Sequence, residues 1–133
     1  MNKILMTMAA GAVALSAQAA MAQEMTLAGA QALLSEIPGA MDCKEPSAPV
    51  IPSGATTPEP QMLTAIDAFK QFDTSSNDYR NCLDAAALNM GDALTDQHNQ
   101  AITLVYDANA SKVEALGAQV NEEIRAFNEA NPG

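Results

Sequence analysis

Residues 61–90, QMLTAIDAFKQFDTSSNDYRNCLDAAALNM, contain neither glycine nor proline. Apolar side chains recur through the run at alternating steps of three and four: Met62, Ala65, Phe69, Phe72, Tyr79, Leu83, Ala86 and Met90. Only Ser76 breaks the stripe with a polar group. That spacing is the signature of an amphipathic helix. Thr57 is a suitable N-cap, Pro58 fits the first helical position, and Glu59 sits next to the positive helix end. Gly91 is the C-terminal stop.

A second helix follows at once. Thr95 is its expected N-cap, Asp96 comes next, and the stripe Ile102, Val105, Asn109, Val113, Leu116, Val120, Ile124, Phe127 runs almost to Pro132-Gly133. Gly117 is its one interior breaker. Each helix is about 33 residues and on the order of 50 Å long. Two helices of equal length joined by a short turn predict an antiparallel hairpin, and the fold class is all-α. With the turn centred between Asp92 and Ala93, facing residues have numbers summing to about 185. Leu83 then meets Ile102, Tyr79 meets Val105, Phe72 meets Val113, Phe69 meets Leu116, and Ala65 meets Val120. The same rule puts Ser76 against Asn109, the two polar interruptions together. A single polar layer of this kind sets register in coiled coils.

Ahead of the hairpin, Pro46, Pro49 and Pro52 recur every three residues, the repeat of a polyproline-II strand. Val50 and Ile51 give this segment something apolar to bury, and Ser53-Gly54 signals a turn. The competing reading is a flexible linker; an ordered segment is preferred because Cys43 pins one end. Cys43 and Cys82 are the two cysteines of the chain, an even count that reads as a disulfide in an exported protein, against the alternative of two free thiols. Cys82 lies roughly 37 Å along the first long helix, and the segment from Cys43 to Thr57 reaches about 43 Å if polyproline-like. The segment can therefore run back along that helix and join Cys82. Residues 23–41 hold a candidate short helix, Thr26 to Glu36, with Thr26 as N-cap, Gly29 weakening it and Pro38-Gly39 ending it.

The first 22 residues read as a secretory signal peptide: a basic start at Lys3, an apolar run from Ile4 to about Leu15, and Ala20-Met21-Ala22 as the cleavage pattern. Ala17-Gln18-Ala19 is the fallback site. The apolar run is too short for a membrane span. The expected organisation is residues 1–22 signal, 23–41 N-terminal segment, 42–57 proline-rich segment, 58–128 hairpin and 129–133 tail, with the product periplasmic or secreted. The formal charge of −10 becomes about −11 once Lys3 is lost. This excludes nucleic acid and anionic membrane surfaces, which require clustered Lys and Arg. Met25, Met41, Met62 and Met90 are too few for a Met-rich copper site and suit packing.

Cys43-Lys44-Glu45-Pro46, Pro49-Val50-Ile51-Pro52-Ser53-Gly54, Pro60-Gln61-Met62 and Tyr79-Arg80-Asn81-Cys82-Leu83 together resemble a group of small exported proteobacterial proteins. In that group a Cys–Pro–Ile-Pro-x-Gly segment precedes a long helix ending in Tyr-x-x-Cys-Leu, followed by a second helix. The resemblance covers about Cys43 to Phe127. It implies a bacterial, periplasmic protein and transfers no activity.

No catalytic, metal or cofactor constellation emerges from the residues. The one histidine, His98, is expected to be a partly exposed polar helix residue. Asp73, Ser75 and Asn77 have calcium-loop spacing, but Asp78 stands where glycine is required and Asp84 where glutamate is. Asn109-Ala110-Ser111 matches a glycosylation sequon but would lie mid-helix. Glu122 and Glu123 are adjacent and diverge on a helix, so they form no acid–base pair. The expected function is a non-enzymatic interaction or structural module of the cell envelope that binds a protein partner or itself. The alternative is a periplasmic holdase active at low pH.

Overall fold

The computed structural model describes residues 24–133. The expected signal peptide and its cleavage sites lie outside the described residues. Helix α1 (Leu27–Leu33) continues into a 3-10 turn at Leu34–Glu36. A second 3-10 turn at Ala40–Asp42 leads into an extended strap that reaches helix α2 (Glu59–Met90). A third, at Gly91–Ala93, joins α2 to helix α3 (Asp96–Ala130). The two long helices have 32 and 35 residues, about 48 and 52 Å, and pack antiparallel as the sequence predicts. Among the described residues there is no strand, and no helix is long and apolar enough to cross a membrane.

The helix ends follow local chemistry, with two corrections. Helix α2 begins at Glu59 with Pro58, not Thr57, as its N-cap, and no side chain caps it. Pro60 has no N–H to satisfy, and the Pro58 carbonyl accepts from both Gln61 N and Met62 N at 3.1 Å. Gly91 ends the helix at φ 53°, where a side chain would be strained. At α3 the Thr95 hydroxyl accepts from His98 N at 3.1 Å, while Thr95 N–H donates to His98 Nδ1 at 3.3 Å. This is a reciprocal capping box with histidine in the usual glutamate place. Helix α3 runs to Ala130, so the tail starts later than the expected boundary at residue 129.

The core is densest at the turn end of the hairpin. There Tyr79, Leu83, Ala86, Ala101, Ile102 and Val105 are buried together with Ala30, Leu34, Ile37 and Ala40. Residues 24–42 therefore fold onto the hairpin as a third layer, mainly against α3. Met62, Ala65, Phe72 and Val120 are buried farther along, as expected from their stripes. Phe69, Val113, Leu116 and Phe127, expected in the core, are only half-buried. Among the described residues no third helix reaches that end, and two helices alone leave the flanks of their seam open to water.

Candidate interaction surface

The strap decides which side of the hairpin is open. The Cys43–Cys82 disulfide ties its start to α2, with Cα atoms 5.7 Å apart. Lys112 Nζ meets Glu45 Oε1 at 2.8 Å, which ties the next turn to α3. Ile51 is buried, and Gly54 N–H donates to Glu123 Oε2 at 2.6 Å. A Cβ on Gly54 would run into the Glu123 carbonyl, 2.8 Å from its carbon and 2.9 Å from Phe127 N. The proline-rich segment is thus an ordered strap seated on backbone, not a linker. The sequence marks Gly54 only as a turn; its close approach to α3 depends on a residue 69 positions away.

Inside the seam, the polar layer has formed. Ser76 and Asn109 are both fully buried, and Asn109 Nδ2 donates to Ser76 Oγ at 3.3 Å. Arg80, which sequence reasoning did not single out, completes the layer. Its Nη1 donates to Asn109 Oδ1 at 2.7 Å, and its guanidinium lies 5.6 Å from the Tyr106 ring centroid. An Arg one turn after Ser76 was the available signal. Asn109→Ala is expected to lower unfolding free energy by about 2 kcal/mol, since it strands a buried hydroxyl and removes a charge-assisted bond. Urea denaturation checks this.

His98 corrects the expected exposure: it is buried, 8% exposed. With Nδ1 accepting from Thr95 N–H, the ring proton is assigned to Nε2, which donates to Glu36 Oε2 at 2.9 Å. The imidazole therefore clamps the N-terminal segment onto the start of α3. Asp73, Ser75 and Asn77 lie on an uninterrupted helix, so the calcium-loop spacing forms no loop. Among the described residues no group of three or more His, Cys, Asp or Glu could hold a metal.

Burial, and then the charge of Glu45, push the Tyr79 phenol above its usual value. A folded-state pKa raised above the unfolded value favours the fold below the unfolded pKa of about 10 and withdraws that support as pH rises through the folded value. Tyr79→Phe is therefore expected to blunt alkaline unfolding above about pH 10 while changing neutral stability by less than about 1 kcal/mol. Thermal melts at neutral and alkaline pH check both halves.

Among the described residues, none covers the opposite flank. Arg80 and Cys82 are two residues apart, about 160° apart around α2, and Tyr106 and Lys112 diverge by about 120° on α3. The Arg80–Tyr106 side thus faces away from the strap. On this side the Phe69 ring lies over Gly117, 3.3 Å from where a Cβ would sit. Near the helix ends, Met62, Leu63, Ile66, Ile124 and Phe127 line a shallow groove of about 170 Å³. Toward the turn, Ala87, Leu88 and Leu94 line another, with Leu88 80% exposed. Comparison with known proteins found no matching family model, no similar curated protein and no similar solved structure.

Proposed function

We propose that this chain is exported, loses residues 1–22, and acts as a non-enzymatic protein-interaction module of the bacterial envelope. The observation that carries this reading is one-sided coverage. Residues 24–57 are committed to one flank of the hairpin, while the other presents half-buried Ile66, Phe69, Val113 and Ile124. Apolar surface gathered between two helices is how interaction sites look on small proteins. The groups best suited to chemistry are already engaged: both cysteines in a disulfide and His98 in a cap and a carboxylate bond. The test is photo-crosslinking in the native host, with the crosslinker at Leu63 or Leu88 on the open flank and at Val50 on the strap. A discrete adduct from the flank positions and none from Val50 is expected. Adducts from neither flank position would overturn the reading.

One observation favours a stress-activated holdase as a second reading. Two polar ties between strap and α3 run through carboxylates, Glu45 to Lys112 and Glu123 to Gly54. Loss of the carboxylate charges weakens these ties and loosens the cover over the seam. Reversible binding of an apolar dye at about pH 3, together with protection of a client from aggregation, is the expected result. Flat dye binding through that range sinks it.

A further inference from the structure

We infer that the occupant of the open flank is a basic amphipathic helix of another protein; this rests on the interaction-module reading and specifies its partner. The shape follows from the neighbours. Two antiparallel helices lying side by side leave a groove along their seam, and a third helix is the element whose apolar stripe fills it. The hairpin's other flank shows the same need already met by α1 and the strap. Along helices of about 48 Å, the open flank is apolar at half-buried Ile66, Phe69, Val113 and Ile124, with a shallow groove toward each end.

Charge selects the sign of the partner. Glu59, Asp73 and Asp84 on α2 are exposed, and helical spacing puts them about 60–100° around from Ser76, on the outer edge of the open flank. None of the three takes part in an ion pair among the described residues. The flank's own cations are Lys70 and Arg80, and the Arg80 guanidinium is held on Asn109 and Tyr106. Lysines or arginines flanking an apolar stripe would meet these rim carboxylates. A second copy of this chain would bring its own acidic rim to the same edge, in a protein of formal charge −10. Like-charge juxtaposition of that kind counts against self-pairing.

The test uses the oxidised protein lacking residues 1–22, isotopically labelled for NMR. It is titrated with two synthetic helical peptides of about 18 residues sharing one leucine stripe. One peptide carries lysine on its polar face and the other glutamate. The lysine peptide is expected to bind at least about tenfold more tightly, to weaken with salt, and to shift Ile66, Phe69, Val113 and Ile124 rather than the strap. Asp73→Asn and Asp84→Asn, both on exposed positions that leave the fold intact, should each weaken it by about two- to fivefold. Equal affinity for the two peptides, or shifts confined to the strap side, would overturn the inference. So would sedimentation showing a dimer that buries this flank. Each of those outcomes is distinct from failure of the broader reading, which shows as absence of flank crosslinks in cells.

Discussion

Gly54→Ala is expected to lower the unfolding free energy by about 4 kcal/mol and the melting temperature by more than about 15 °C. The added methyl has nowhere to go. Its position falls on the Glu123 carbonyl and within 2.9 Å of Phe127 N, and both are helix backbone that cannot rotate aside. Overpacking against a flexible side chain typically costs about 1–3 kcal/mol; against backbone the strap must lift. Lifting breaks the 2.6 Å bond from Gly54 N–H to the Glu123 carboxylate, a charge-assisted bond of about 1.5–3 kcal/mol, and exposes Ile51. The backbone conformation at Gly54 is not the cause, since it has no positive φ. Ser53→Ala, at the exposed neighbouring position, should change stability by less than about 0.5 kcal/mol. Chemical denaturation of the two variants side by side is the measurement. Similar stabilities would mean that the strap end does not sit on α3.

Removing the disulfide, as Cys43→Ser with Cys82→Ser, is expected to cost about 4 kcal/mol. The bridge spans a sequence separation of 39, and closing a loop of that size removes much of the freedom of the unfolded chain. For a domain this small that is a large share of the whole margin. The loss should not be uniform. The hairpin keeps its caps and its Ser76–Asn109 layer, both independent of the bridge. The strap loses its anchor to α2 and retains only its ties to α3 at Lys112 and Glu123. Hydrogen exchange should therefore speed up first at residues 43–54, with α2 and α3 protected until global unfolding. Uniform loss of protection would show that strap and hairpin form one cooperative unit. Reduction of the native protein with thiol should reproduce the pattern.

The hairpin is legible in the sequence because its determinants are local. The 3–4 spacing of Met62 to Met90 and of Ile102 to Phe127 marks a helical face, and Gly91 and Thr95 act within a few residues of themselves. The register followed as well. Two equal helices joined by a short turn can pair in few ways, and the Ser76–Asn109 hydrogen bond occupies the place that pairing assigns. The start of α2 lies one residue later than the sequence suggests, because Thr57 and Pro58 both suit a helix entry. The choice fell to Pro58, whose carbonyl serves two amides. The open flank was less legible. An apolar stripe shows that Phe69, Val113, Leu116 and Phe127 prefer to leave water, but not how much of each is covered.

By itself, the sequence determined the two long helices, their antiparallel pairing, their polar layer and the Cys43–Cys82 bridge. Periodicity, caps and an even cysteine count each carry their meaning in neighbouring residues or in a single pairing. Only the tertiary structure decided that His98 is buried against Glu36, that Gly54 seats on Glu123, and that residues 24–57 gather on one flank. These contacts join residues 62 and 69 positions apart. Burial and close approach at such separations depend on where the chain returns in space, and amphipathic patterning gives each element an inward face without naming what it will face.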